Sequence, residues 1–443
     1  MRMFFTKPAL PFSSQAGASA AGVWQGFVRG ASGTGVAVAA RAAGALVLSK
    51  LVALYGGAGG LTQLAQFQNL MALFGALPAD GIQVGVTTRL APLPPGAGRY
   101  RAWLGAAVVL TLGAMGLGGV VLGLAEGADR GLLAVSGFTL GMAAVATQAL
   151  LSTALLAAGQ RRAYVRQAIA LSVGGTAVAA AALLLRQPLP LVLGGYLGGQ
   201  ALVLAPTLVQ AQRAGLLRGL RIGRPSRLAM RGLLRFVFMA SGSLLFGRAV
   251  DYAVRAYLMA HFAPASIDMW QAVARLSDHY SLMAGAVLST VFYPRLTALA
   301  PVPAQARHYL RAVLGLLAGG VGGALGLVFA LRDWLLPLLF APRLLAAREL
   351  LAPQLLGDWA KFLVWVFLYQ LLARARPLPY IAVQAASAIV YTGLLVGLLP
   401  HLGLAGVVWA HAGRYGILLL ACGTAHVAVT RKYKSALQIT LNS

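Results

Sequence analysis

Apolar runs of about twenty residues recur along the whole chain, and short segments containing Arg, Gly or Pro separate them. Each run is long enough to cross the hydrocarbon core of a bilayer, which is about 30 Å thick, as a helix. The predicted spans are 31–54, 62–88, 103–125, 131–157, 167–185, 189–211, 236–260, 269–294, 310–331, 351–373, 378–399 and 404–429. The pattern therefore predicts an all-α polytopic membrane protein with about twelve transmembrane helices in two six-helix lobes.

The spans divide the chain into five segments. They are an N-terminal cytoplasmic or interfacial segment 1–30, an N-lobe 31–211, a basic cytoplasmic linker 212–235, a C-lobe 236–430 and a cytoplasmic tail 431–443. The first segment lacks the apolar core and cleavage site of a removable signal peptide. Arg41 and Arg248 open comparable stretches 207 residues apart. Parallel halves of six helices are typical of transporters whose lobes are related by an axis along the membrane normal.

The distribution of charge predicts the orientation. The chain has 36 Lys and Arg against 9 Asp and Glu, a net charge of +27. If the N-terminus is inside, cytoplasmic segments hold 24 of the basic residues and no acid, whereas the outer loops hold five of each kind. The positive-inside rule then places both termini in the cytoplasm. Because orientation accounts for most of the basic excess, we expect no nucleic-acid partner.

Charged residues inside the predicted spans are the candidates for function, because each costs roughly 2.5–3.5 kcal/mol on insertion scales. Arg248, Asp251 and Arg255 on the seventh span lie at i, i+3 and i+7, so they share one helical face. Two basic residues and one acidic residue give this face a net charge of +1. Pairing within the helix is one interpretation, and a water-filled vestibule that holds an anion is the other.

The first, second, seventh and eighth spans hold most of the intramembrane polarity, so we expect these four helices to line a net positive cavity. Candidate substrate-binding residues are Arg41, Lys50, Arg248, Arg255, Arg275 and Arg414. Candidate ion-coupling or ion-pairing residues are Asp80, Asp251, Asp278, His279, Asp358 and Lys361, and uncharged polar candidates are Gln63, Gln66, Asn69 and Gln271. Arg41 and Asp80 fall at similar depth and are candidates to pair across the N-lobe.

Several candidates have structural interpretations that stay open. Lys50 lies near the outer end of its span and can extend its ammonium to the interface. Arg414 can bind a backbone carbonyl or a lipid headgroup. Asp358 and Lys361 are three residues apart and can form a purely structural ion pair.

Four groups of residues carry a resemblance to a known family. They are Leu48-Ser49-Lys50-Leu51 with Gly56, Gly59 and Leu61; Trp270-Gln271 with Ser277-Asp278; Leu331-Arg332-Asp333; and Gln354-Leu355-Leu356-Gly357-Asp358 with Lys361. From about residue 31 onward the chain resembles the Wzx-type flippases for lipid-linked oligosaccharides, within the multidrug/oligosaccharidyl-lipid/polysaccharide exporter superfamily. Within these flippases it is most similar to the enterobacterial common antigen type.

The resemblance implies a V-shaped pair of lobes around a central cationic cavity. It implies that undecaprenyl diphosphate carrying a short oligosaccharide moves from the inner to the outer leaflet of the bacterial inner membrane. Lys50, Asp278, Asp358 and Lys361 stand at matching positions, whereas Asp80 falls where a small residue is expected. Besides membrane lipids, the polymerase and glycosyltransferases of the same pathway are implied partners.

Other classes remain as alternatives: a multidrug or cation exporter of the same superfamily, a major-facilitator-type transporter, or another secondary transporter of anionic solutes. An enzyme is not predicted, because the motifs of zinc proteases, P-loop ATPases and serine hydrolases are missing from the sequence. Cys422 is the single cysteine, so no disulfide framework or cysteine-based metal site is predicted. We expect no cofactor.

Overall fold

A computed structural model describes residues 39–126, 131–218, 226–299, 302–373 and 377–441, so the predicted segment 1–30 lies outside it. Long helices make up most of the described chain. They are α1 (39–55), α2 (Gly60–Leu90), α3 (Gly98–Glu126), α4 (Gly131–Ala157), α5 (Arg161–Leu184), α6 (Leu189–Arg213), α7 (Arg227–His261), α8 (264–298), α9 (303–330), α10 (Leu351–Ala373), α11 (Pro377–Leu402) and α12 (Ala405–Leu441). Between α9 and α10, helix Arg332–Leu339 and the 3-10 segment Pro342–Leu350 form what we name the outer cap, residues 332–350.

Ten of the described helices are long and apolar enough to cross a membrane, so the chain is a multi-pass membrane protein. Of the others, α1 has 17 described residues, and α8 carries Asp268, Arg275 and Asp278. The count of twelve spans and the cytoplasmic position of the termini stay predictions. Below, the outer end of the bundle is the end with the outer cap, and the inner end is the end at which α7 begins.

The two groups of six helices pack around largely separate apolar cores. At the outer end, Ala53 and Leu61 of the N-lobe join the core of the C-lobe. The other exception is α7. Its inner half packs into the core of the first lobe, where Ala229 and Leu233 are buried against α2, α3 and α4. Gly81 on α2 permits this approach, since a Cβ there would lie 2.9 Å from the Cα of Val237. The inner half of α7 therefore belongs structurally to the N-lobe.

A π-helical turn, Leu244–Arg248, interrupts α7 at the point where the helix passes from one lobe to the other. An extra residue in one turn rotates the helical face that follows it. The outer half, Ala249–His261, packs on the C-lobe core through Leu258. Because α7 begins at Arg227, the last nine residues of the predicted linker 212–235 are helical, and the linker is shorter than predicted.

Candidate functional site

A cavity of about 690 Å³ lies within the C-lobe and is named the C-lobe cavity. Its walls come from α7, α8, α10, α11 and α12. Among the described residues, the N-lobe contributes only Asn69. The location differs from the sequence prediction, in which α1, α2, α7 and α8 enclose the cavity. The lining extends from Trp270, in the outer half of α8, to Tyr380 near the inner end of α11.

The predicted triad on α7 lines this cavity. Arg248, Asp251 and Arg255 all face it, as their spacing predicts. Asp251 is exposed to the cavity and lies within electrostatic range of both arginines and of Arg414. Arg255 is buried with its guanidinium 5.4 Å from the centre of the Trp270 ring. One Arg255 nitrogen, Nη1, donates a long 3.5 Å hydrogen bond to the carbonyl of Ala65 on α2, so this arginine also touches the other lobe.

Arg414 on α12 is fixed by three contacts. Its guanidinium lies 5.0 Å from the ring centre of Tyr391 and 4.9 Å from that of Tyr415. Its Nε donates to the hydroxyl of Ser387 at 2.5 Å. Cation–π contacts of this kind are worth about 0.5–2 kcal/mol each. The geometry holds the charge at the cavity wall and leaves the other guanidinium nitrogens to bind an anion.

A buried polar cluster around Asp358 supports the wall of the cavity behind Lys361. The carboxylate of Asp358 is fully buried, and its Oδ1 accepts from the Lys361 ammonium at 2.5 Å and lies 3.1 Å from His411 Nε2. Its Oδ2 accepts from Tyr280 at 2.5 Å and from Gln354 at 3.1 Å. The predicted i, i+3 pair is thus present, within a larger network that joins α8, α10 and α12.

The charges at this site sum to a positive value. Four cations line the cavity: Arg248, Arg255, Lys361 and Arg414. The carboxylates are Asp251 and Asp278 in the lining and Asp358 behind it. Three negative charges leave one positive charge uncompensated with His411 neutral.

A stripe of polar atoms on α2, α7 and α8 is buried and lacks hydrogen-bond partners within the described part of the chain. Unpartnered nitrogens belong to Arg275 (two atoms), Arg255, Gln271, His279 and Asn69, and unpartnered oxygens belong to Gln66 and Gln271. Leaving a buried polar group unpaired costs about 1–3 kcal/mol, more for a charged one. Because nitrogens outnumber oxygens and two of the groups are guanidinium ions, water and anionic oxygens suit this stripe.

At the outer end the lobes are joined by hydrogen bonds that we name the outer closure. The carboxylate of Asp268, in the second turn of α8, is buried and accepts from the Gly59 amide at 2.8 Å and the Thr62 amide at 2.9 Å. It also accepts from the Thr62 hydroxyl at 2.7 Å. A C-lobe carboxylate therefore caps the N-terminus of an N-lobe helix, where backbone amides and the helix dipole favour a negative charge.

The outer cap adds three hydrogen bonds to the outer closure. Arg343 donates at 2.8 Å to the carbonyl oxygens of both Ala53 and Gly57 at the end of α1. The ammonium of Lys50 donates to the carbonyl of Pro337 at 2.7 Å. Lys50, a candidate for substrate binding on the sequence, thus lies at a contact between the lobes and outside the lining of the C-lobe cavity.

The remaining predicted residues are dispersed. Arg41 and Asp80 are both exposed, and no ion pair joins them in the described chain. Arg41 and Arg275 both lie within electrostatic range of the Tyr196 hydroxyl on α6. Gln63 and Gln66 line a second cavity of about 840 Å³, which we name the N-lobe groove. It lies between α2, α3, α4, α6 and the outer half of α7, and its lining is otherwise largely apolar.

Sequence reasoning missed several residues of the site. Asp268 precedes the predicted span 269–294, so the apolar pattern places it in an outer loop. Arg343 likewise falls between two predicted spans, among the loop charges. Tyr280, Tyr391 and Tyr415 lie in apolar runs and gave no separate signal, although Tyr280 is two residues from Asp278 in the polar stripe of α8.

Two curated proteins are similar to this chain over most of its length. Lipid III flippases of Escherichia coli (strain K12) and Shigella flexneri are each 26% identical over 393 residues, which covers 85% of this chain and 93% of the relative. No protein-family profile matches the chain.

Solved structures of transporters share the fold. The lipid II flippase MurJ in an inward closed conformation has a TM-score of 0.64 at 13% identity, covering 89% of this chain and 86% of that one. An inward-facing MATE multidrug transporter of the MOP superfamily has a TM-score of 0.62 at 11% identity, covering 90% and 96%. An outward-facing MATE transporter has a TM-score of 0.55 at 12% identity, covering 89% and 96%. The predicted resemblance to Wzx-type flippases is confirmed, and the chain has the fold of the multidrug/oligosaccharidyl-lipid/polysaccharide exporter superfamily.

Proposed function

We propose that this protein is a flippase that moves undecaprenyl-diphosphate-linked oligosaccharide from the inner to the outer leaflet of the bacterial inner membrane. The observation that carries the proposal is the C-lobe cavity, lined by four basic and two acidic side chains, inside this transporter fold. The similarity to lipid III flippases supports a lipid-linked saccharide as the substrate. In this proposal both termini are cytoplasmic, and no cofactor or catalytic step is involved.

Arginine suits the diphosphate of such a substrate. A diphosphate carries several anionic oxygens, and a guanidinium offers a planar fork of donors that matches them. Arg248, Arg255 and Arg414 line the C-lobe cavity, and Arg275 adds two unpartnered nitrogens beside it. We assign the diphosphate to these four arginines and the hydrophilic sugars to the remainder of the cavity.

The proposed cycle begins from an inward-facing state. In support, hydrogen bonds through Asp268 and Arg343 join the two lobes at the outer end. A bound diphosphate neutralises the arginines and satisfies the donors on α8. The lobes then close at the inner end, the outer closure breaks, and the head group leaves outward by alternating access.

Coupling to an ion or proton is assigned to the acidic residues that face the cavity. Asp251 and Asp278 line the C-lobe cavity. His411 also lines it and lies 3.1 Å from the carboxylate of Asp358. Proton binding at one of these groups favours release of the anion or return of the empty carrier. Asp80 and His279 lie outside the cavity lining in the described structure, so we rank them below these residues.

The test is the lipid content of cells that lack the gene, analysed by mass. The proposal predicts accumulation of one undecaprenyl-diphosphate oligosaccharide, whose mass identifies the glycan. Reintroducing the wild-type gene should clear this accumulated lipid. The Arg162→Ala variant should clear it too, because it removes only an exposed arginine at the inner end of α5. Arg248→Ala and Arg275→Ala should fail to clear it. Unchanged lipid-linked saccharides in the deletion strain would contradict the proposal.

One observation favours a second candidate, a multidrug exporter. The N-lobe groove is large and mostly apolar, and MATE multidrug transporters share the fold. This candidate predicts that the deletion sensitises cells to lipophilic cations while their lipid-linked saccharides stay unchanged. The net positive C-lobe cavity argues against a cationic cargo.

A further inference from the structure

The N-lobe groove differs in chemistry from the C-lobe cavity. Among the described residues, its lining contains no Lys, Arg, Asp or Glu, and Gln63, Gln66 and Tyr252 are its polar side chains. The remainder is aliphatic residues, glycines, and the rings of Phe67 and Phe138, which lie edge to face with centres 5.6 Å apart. An uncharged hollow of about 840 Å³ suits a flexible hydrocarbon.

Glycines create the hollow. At Gly137 on α4 and at Gly194 and Gly198 on α6, a Cβ would meet no atom within 4 Å. Glycines in membrane helices usually serve close helix packing, and Gly141 does so here, because a Cβ there would lie 2.8 Å from Leu197. The three open glycines do not pack against a neighbour, so their effect is to leave space in the wall.

The groove and the C-lobe cavity lie on opposite sides of the contact between α2 and α7. On α2, Asn69 faces the C-lobe cavity and Leu70 the groove; on α7, Asp251 faces the cavity and Tyr252 the groove. The contact includes a 3.5 Å hydrogen bond from Gln66 to the carbonyl of Tyr252, at the limit of bonding distance. A cationic site and an uncharged apolar site are thus separated by a single pair of helices.

We propose that the N-lobe groove binds the isoprenoid chain of the lipid substrate while its anionic head occupies the C-lobe cavity. The inference rests on the proposed flippase function and adds the site of the tail. The charge pattern of the two neighbouring cavities is complementary to an amphiphile with an anionic head and a long hydrocarbon. The groove lies in the outer half of the bundle, so it guides the chain as the head moves outward.

The test places the purified full-length protein in lipid nanodiscs and adds a photo-crosslinking probe. The probe is undecaprenyl phosphate with a diazirine near the end of its chain. Gly194→Leu places a side chain in the groove at a position where a Cβ meets no atom within 4 Å. Gly116→Leu is the matched control, since Gly116 on α3 is equally exposed, has no atom within 4 Å of its Cβ position and lines neither cavity. The first readout is which peptides carry the label. The second is transport, by the reconstituted protein, of a lipid-linked sugar with either an undecaprenyl or a geranyl chain.

We expect labelling within 133–141 and 190–198, competed by undecaprenyl phosphate and not by bilayer phospholipid. Gly194→Leu should lower labelling and undecaprenyl transport about tenfold, and spare geranyl transport. Gly116→Leu should change neither. Equal labelling of both variants, or competition by phospholipid, overturns the proposal, as does an equal loss of transport for both chain lengths. If the labelling is as expected but the wild type transports neither lipid, the flippase function fails and the tail site stands.

Discussion

Replacing Asp268 by Asn should open the outer end of the transporter. In Asp268 one carboxylate oxygen accepts from the Gly59 amide, and the other accepts from the Thr62 amide and hydroxyl. Asn keeps one acceptor oxygen and turns the other into an NH₂ donor, which faces an amide or hydroxyl that also donates. These contacts join the lobes, so they are lost when the outer end opens.

The size of the effect follows from the number of bonds. Hydrogen bonds to a charged group contribute about 1.5–3 kcal/mol and neutral ones about 0.5–1.5 kcal/mol, so Asn loses about 3–5 kcal/mol of gross interaction. Part of this is offset because the buried carboxylate has no ion-pair partner among the described residues, and Asn removes its desolvation cost. A net loss of about 2 kcal/mol moves the inward/outward ratio about thirtyfold.

Spin labels at the outer ends of the lobes would measure this shift. Leu132 on α4 and Leu402 on α11 are exposed there, and Cys422→Ala removes the native thiol. The Asn variant should gain a population with a longer separation between the labels. Asp333→Asn is the control, since Asp333 makes an exposed pair with Arg348 at the same end. If both variants keep the wild-type distance distribution, Asp268 does not hold the lobes together.

Three further predictions concern the C-lobe cavity and its supports. Asp358→Asn should lower the free energy of unfolding by about 3–5 kcal/mol, because the Lys361 ammonium loses its carboxylate partner. A lower Tm in detergent, restored in part by adding Lys361→Met, would confirm this prediction, and an unchanged Tm would contradict it. Arg414→Lys should reduce transport about tenfold, since the ammonium keeps the charge but loses the forked donors and the stacking on Tyr391 and Tyr415; wild-type rates would show that charge alone suffices. Gly81→Val should destabilise the protein by about 1–3 kcal/mol, because the valine side chain would meet the backbone of Val237. Gly75→Val should not, because a Cβ at Gly75 meets no atom within 4 Å. Equal thermal stability of the two variants would refute this packing argument.

The helical spacing of charges predicted local groupings well. Arg248, Asp251 and Arg255 face one cavity, and Asp358 pairs with Lys361, because both outcomes depend only on the period of a helix. A multi-pass membrane protein also followed directly from the apolar runs. These features depend on short-range geometry that the chain carries within a single element.

Features that depend on how helices are arranged were not predictable in the same way. Polarity on α2 indicated a cavity wall, but Gln63 and Gln66 face the N-lobe groove and Thr62 takes part in the outer closure. Lys50 reaches a carbonyl 287 residues away, a contact that no spacing along the chain encodes. The tyrosines of α11 and α12 count as apolar in a hydrophobicity pattern, so the wall that they form around Arg414 was hidden.

The most direct test of the proposed function is transport of undecaprenyl-diphosphate oligosaccharide by the purified protein in liposomes. Lipid placed on the side facing the inner end is followed by its accessibility to a saccharide-cleaving enzyme on the other side. The account predicts that the lipid crosses the bilayer faster in liposomes with the protein than in liposomes without it. Arg275→Ala should abolish this transport, and Arg162→Ala should preserve it. A wild-type rate equal to that of empty liposomes, or full activity in Arg275→Ala, would contradict a flippase that holds its substrate by the arginines in and beside the C-lobe cavity.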